Sequence, residues 1–182
     1  SWYGKLTGHF GESSAVSAFY LKNVQGLDGN SVDPSIKGAH VHAWGAGATI
    51  DLGDSGLNID GDFIQTRGNR DLGHANLWTA GLNYGKVDLN KPGSFTLGVH
   101  YVRADAGAYL LGNSALDMTD QLEYGWDNGT GVKFWVAKAG VAVQKNVELD
   151  AYYNFGAKAF DRYDDSTKDP ANTWGVELNY AF

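Results

Sequence analysis

The chain ends Thr173-Trp174-Gly175-Val176-Glu177-Leu178-Asn179-Tyr180-Ala181-Phe182, and the reading of this stretch decides the fold. Taken two residues at a time, it separates Trp174, Val176, Leu178, Tyr180 and Phe182 from Thr173, Gly175, Glu177, Asn179 and Ala181. Side chains alternate across a β-strand, so the pattern predicts one apolar and one polar surface. Aromatic rings stand near both ends of the apolar side.

Working outward, the same alternation recurs. It predicts strands over residues 1–10, 15–23, 38–51, 57–66, 75–85, 95–102, 131–143, 147–160 and 173–182. Leu57, Ile59 and Phe63 oppose Asn58, Asp60 and Asp62. Trp78, Ala80, Leu82 and Tyr84 share a face, as do Phe95, Leu97, Val99 and Tyr101. Val147, Leu149, Ala151, Tyr153 and Phe155 oppose Glu148, Asp150, Tyr152 and Asn154. Residues 15–23 have no clear face, because Val16 and Phe19 differ in parity.

Most of these runs have about ten residues, the 9–11 that a tilted strand needs to cross a bilayer. Strands of soluble proteins average nearer five or six. Connections at 11–14, 52–56, 86–94 and 144–146 read as turns, whereas 25–37, 67–74, 103–130 and 161–172 read as longer polar loops. Short turns on one side and long loops on the other suit a membrane barrel. The expected fold is therefore all-β, an antiparallel transmembrane β-barrel with about nine strands in residues 1–182. In hydrocarbon an open sheet edge is excluded, so the strands must close. Trp and Tyr near strand ends belong at headgroup level.

An odd strand number conflicts with the even numbers of single-chain bacterial barrels. The expectation is that this chain is the C-terminal portion of a larger barrel, with Ser1 on the extracellular side and an upstream part of the same barrel as its partner. A strand hidden in 103–130, or a false one near Ala15, would also restore an even count.

Composition narrows the function. The chain has 182 residues, 25 Gly, 3 Pro and no Cys, with 13% aromatic residues. Mean hydropathy is -0.33, and no apolar run approaches the roughly 20 residues of a spanning helix. Without Cys there is neither a disulfide framework nor thiolate chemistry. A net charge of -7 argues against nucleic acid as a partner. No signal peptide is recognised, which is expected of a processed form or a fragment.

Chemistry-bearing motifs are sparse. His40 and His42 share a face, but no third metal ligand lies nearby in sequence. Asp161, Asp164, Asp165 and Asp169 lack the spacing and glycine of a calcium loop. Gly45-Ala46-Gly47-Ala48 lacks the Lys-Ser/Thr of a phosphate loop. No Gly-x-Ser-x-Gly occurs. No catalytic, cofactor or metal site is expected, and an enzyme with a carboxylate–His or Ser–His pair on an extracellular rim is the minor alternative.

Two stretches carry a closer resemblance. Residues 82–95, from Leu82 through Asn83-Tyr84-Gly85 and Lys91-Pro92-Gly93-Ser94 to Phe95, resemble a turn of the S-layer-homology-domain porins of diderm Firmicutes. Residues 141–153, with Lys145-Asn146-Val147 at the turn, are similar to a hairpin near the end of the same proteins. Gln144 departs from their usual Ala. The terminal strand also resembles the last strand of bacterial outer-membrane barrels, which commonly ends in an aromatic residue. The resemblance covers roughly the last hundred residues. It implies a homotrimeric outer-membrane porin. The family's S-layer-homology domain and coiled coil have no counterpart in these residues, so their tethering role does not carry over.

The expected function is passive diffusion of small hydrophilic solutes and ions through a water-filled channel. The alternatives are a small non-conducting structural or adhesin barrel and a soluble β-protein. Lys5, Asp60, Asp62, Glu148, Asp150 and Glu177 are the expected pore-lining residues, with His9 and Lys138 as further basic groups. Trp174, Val176, Leu178, Tyr180 and Phe182 are expected to face outer-membrane lipid or a neighbouring protomer. Residues 103–130 mix Tyr109, Leu110, Leu111 and Met118 with Asp117, Asp120 and Glu123, which predicts a loop packed on barrel wall or on a partner subunit.

Overall fold

The computed structural model describes residues 2–11, 13–22, 42–69, 73–106, 108, 119–161 and 166–181. His40, Tyr109, Leu110, Leu111, Asp117, Met118, Asp164, Asp165 and Phe182 lie outside them. The described chain is all-β apart from one helix and one 3-10 turn. Its strands are β1 (Trp2–Phe10), β2 (Ser14–Lys22), β3 (His42–Asp51), β4 (Leu57–Asn69), β5 (Gly73–Gly85), β6 (Phe95–Ala104), β7 (Gly131–Gln144), β8 (Val147–Phe160) and β9 (Thr173–Tyr180). They form a single nine-stranded sheet in sequence order, each strand antiparallel to the next. The sheet is open, with β1 at one edge and β9 at the other.

Two sequence expectations need correction. Residues 67–74 do not form a long loop. Arg67 pairs with His74 and Asn69 with Gly73, so the β4–β5 hairpin continues until residues 70–72 alone join its strands. The regular alternation of short and long connections therefore fails at this pair. Backbone pairing has extended both strands through residues whose polarity reads as loop. Residues 103–130 are not irregular throughout either. β6 runs to Ala104, and a nine-residue helix, α1 (Thr119–Asp127), lies within the stretch.

Helix α1 has local causes. Asp120 places negative charge in its first turn, where the helix dipole favours it. At its end Gly129 adopts φ +57° and Thr130 N–H donates to Gly125 O at 3.0 Å, the left-handed glycine stop. Gln121, Leu122 and Gly125 are buried against the sheet.

The registers sort the sheet into two faces. One, the aromatic face, carries Tyr20 opposite Trp44, Phe63 opposite Trp78, Tyr101 opposite Trp135, and Tyr153 opposite Trp174. Ring centroids lie 5.2 Å apart for Trp78–Tyr101 and 4.9 Å for Tyr101–Trp135. Trp2, which meets Tyr20 at 5.1 Å, extends this belt to β1. Toward the other strand ends, past Leu, Val, Ile, Ala and Gly, stand Phe10, Tyr84, Phe95 and Tyr180. Apart from Tyr3, Leu52 and Val143, every exposed large apolar side chain among the described residues lies on this face.

The opposite face divides in two. At the end of the 105–130 connection it is apolar, with Leu77, Val102, Ala104, Val132, Phe134 and Val136 buried beneath Leu122. Elsewhere it is polar and largely open. Among the described residues a second layer thus covers only part of one face, although domains ordinarily pack two layers around a core. The accessible surface of 11075 Å² exceeds the roughly 8,600 Å² that scaling gives for a globular monomer of this mass.

Candidate functional site

The opposite face carries Asp51 at the end of β3, and its open polar half gathers five further strand carboxylates. Asp60 and Asp62 come from β4, Glu148 and Asp150 from β8, and Glu177 from β9. The registers place all five, with Lys5 and His9 of β1, on this one face. The parity of β2 is resolved by its partners. Phe19 and Leu21 join the same face, opposite Gly45 and Ala43. Lys138 also lies here, opposite Gly98 on one side and Tyr152 on the other. Trp174, Val176, Leu178 and Tyr180 all fall on the aromatic face, as their alternation requires.

A hydrogen-bonded cluster ties β4, β5 and β6 together at the middle of the polar half. Asn83 Nδ2 donates to Asn58 Oδ1 at 2.9 Å and also to Asp60 Oδ1. His100 Nε2 and Asn83 Oδ1 are 2.9 Å apart, and His100 Nδ1 faces Asp60 Oδ2 at 3.4 Å. His100 is only 4% exposed. Both ring nitrogens point to residues of neighbouring strands, so the imidazole is held within this face.

Glycine makes this geometry possible. A Cβ on Gly81 would overlap the His100 ring, and one on Gly98 would overlap Asn83 Oδ1. Gly47 gives the same room to Asp62, Gly140 to Asp150 and Gly175 to Tyr152. Polar side chains therefore lie flat across neighbouring glycines, and the wall stays low. Beyond the central cluster, Asn179 Nδ2 donates to Asp150 Oδ2 at 2.8 Å. A depression of about 310 Å³ there is lined by Thr96, Lys138, Asp150, Tyr152, Glu177 and Asn179. Asp150 stands directly opposite Glu177, a like-charge pair that raises the local negative potential.

The 105–130 connection is fastened onto this same face. Gln121 Nε2 donates to Thr173 Oγ1 at 3.0 Å and to Ala171 O at 3.1 Å. Asn154 Nδ2 donates to Gln121 Oε1 at 2.9 Å. Tyr124 Oη donates to Lys168 O. The described part of the segment therefore packs on the acid-bearing side of the sheet, not on the aromatic side.

Metal chemistry finds no assembled ligand set among the described residues. His42 lies on the aromatic face with Nδ1 3.0 Å from Tyr20 Oη. Asp169 accepts from Lys158 Nζ at 2.9 Å and from Ala159 N–H at 3.0 Å. The central pair of His100 and Asn83 did not figure among the expected site residues. Parity alone reveals His100, since it alternates with Leu97, Val99 and Tyr101.

No family model matches this chain, and no curated protein matches it.

Proposed function

We propose that the chain is part of a membrane-spanning porin barrel of the bacterial outer membrane. Its polar face would line a water-filled path for small hydrophilic solutes and ions. One observation carries the reading. The sheet exposes an almost continuous apolar face, edged by aromatic rings, while its acids lie on the other face. Soluble monomers rarely expose contiguous apolar patches beyond a few hundred Å². Aromatic girdles bounding an apolar band are the lipid-facing pattern of outer-membrane barrels.

Strand parity sets what closure of this open sheet would need. Eight successive antiparallel pairings make β1 and β9 run in the same direction. Antiparallel closure of the sheet then takes an odd number of further strands. The resemblance to trimeric S-layer-homology-domain porins supports a larger barrel and a homotrimer. Work in such a channel is done by wall geometry and charge, and low-dielectric walls focus the field of acidic side chains onto passing cations.

A narrower, non-conducting barrel is the second reading, favoured by one observation: α1 already occupies part of the polar face. Planar-bilayer recording of the intact protein separates the two. Stepwise ohmic conductance supports the porin, and stable insertion without conductance supports the filled barrel.

A further inference from the structure

We infer that the aromatic face carries, just outside its Trp/Tyr belt, a basic row that binds the phosphate groups of anionic lipids in the leaflet on the side of the 105–130 connection. This rests on the membrane reading above. The row is built by strand register. Lys22 pairs with His42, His42 with Arg67, and Arg67 with His74. On the other half of the sheet, Arg103 pairs with Lys133 and Lys133 with Lys158. Each lies on the aromatic face two to five residues beyond a belt aromatic, as Lys22 does from Tyr20, Arg103 from Tyr101, Lys133 from Trp135 and Lys158 from Tyr153.

Position and sign both point to lipid phosphate. A Trp/Tyr belt marks headgroup level, so side chains just beyond it reach the phosphates. No Asp or Glu lies on the aromatic face among the described strand residues. The opposite end of the sheet is mixed in sign: Lys86 and Lys91 share a depression with Asp54.

Arg103, Lys133 and Lys158 stand directly opposite one another across three strands, an arrangement that is destabilising unless anions intervene. Asp105 approaches Arg103 at 3.8 Å and Asp169 approaches Lys158 at 2.9 Å, both from connections. No acid pairs with Lys133 among the described residues. The Arg103 guanidinium lies 4.3 Å over the Phe160 ring, which fixes its plane on the aromatic face.

The test uses the full-length protein reconstituted in phosphatidylcholine vesicles with or without phosphatidic acid. After extraction, native mass spectrometry counts the phosphatidic acid retained. The Arg103→Gln/Lys133→Gln/Lys158→Gln variant is expected to bind phosphatidic acid more weakly by about fivefold per cation removed. Lys133→Arg/Lys158→Arg should retain it, which controls for folding. Lys86→Gln/Lys91→Gln/Lys145→Gln, at the turn end, should also retain it. Unchanged retention in the Gln triple variant of the row, or an equal loss in the turn-end variant, overturns the basic-row assignment while leaving the membrane reading intact. Failure of the wild-type protein to insert into either vesicle overturns both.

Discussion

His100 on β6 lies across Gly81 on β5, in the space that a side chain at position 81 would fill. From there the imidazole reaches Asn83 and Asp60, and one ring links three strands of the polar wall.

Gly81→Ala is therefore expected to push His100 out of the wall and to destabilise the protein by about 1–3 kcal/mol, the usual cost of overpacking. Adding His100→Ala should recover much of the loss, because it removes the clash. Denaturant titration of the single and double variants measures this coupling. Equal stability of Gly81→Ala and wild type would contradict the overlay.

On the proposed lipid-facing assignment, Arg substituted at Val176 or Leu178 is expected to cost up to about 2–4 kcal/mol in a bilayer. Glu177→Gln, between them on the opposite face, should leave assembly unchanged. Heat resistance of the assembled barrel on gels checks the contrast.

The strand acids predict weak cation selectivity. Asp60, Asp62, Glu148, Asp150 and Glu177 share their face with Lys5, Lys138, His9 and His100. Neutralising the five acids together should move the reversal potential of the intact channel across a KCl gradient toward anions. No movement would show that other residues set the field.

Gln121→Ala removes the group that Thr173 and Asn154 bind. Asn154 Nδ2 keeps its bond to Thr173 Oγ1 at 3.1 Å, so the expected loss is that of net hydrogen bonds, about 0.5–1.5 kcal/mol each. If 105–130 narrows the path, this variant should also raise single-channel conductance. Unchanged conductance with loss of oligomers would assign the segment to subunit contact instead.

Much of this architecture is legible in the sequence because period two is a property of the extended backbone. Val147 to Phe155 alternates without a break, and its partners agree. Beyond it Gly156, at φ +64°, introduces a bulge that shifts the register, so Ala157 and Ala159 become buried where Lys158 is exposed. Nothing in the apolar pattern announces this shift. Strand β2 has no clear face in the sequence because Phe19 faces the polar side, where Gly45 leaves room for its ring. Helix α1 has nine residues, with Leu122 in the buried core and Tyr124 packed against it, too short a run to show a helical stripe. Carboxylates mark the charged face in the sequence, whereas the Asn83–His100 contact joins two residues that only the fold brings together.

The most direct test of the central claim exploits the absence of Cys from the chain. Single substitutions Glu148→Cys, Leu149→Cys, Asp150→Cys and Ala151→Cys on β8, a strand paired on both sides, are spin-labelled in lipid bilayers. Accessibility to dissolved oxygen is then compared with accessibility to a water-soluble nickel chelate. We predict strict alternation, with labels at 149 and 151 reached by oxygen from the lipid and labels at 148 and 150 reached by the chelate from water. Chelate access at all four positions, or no alternation, would contradict the assignment of one face to lipid and the other to an aqueous path.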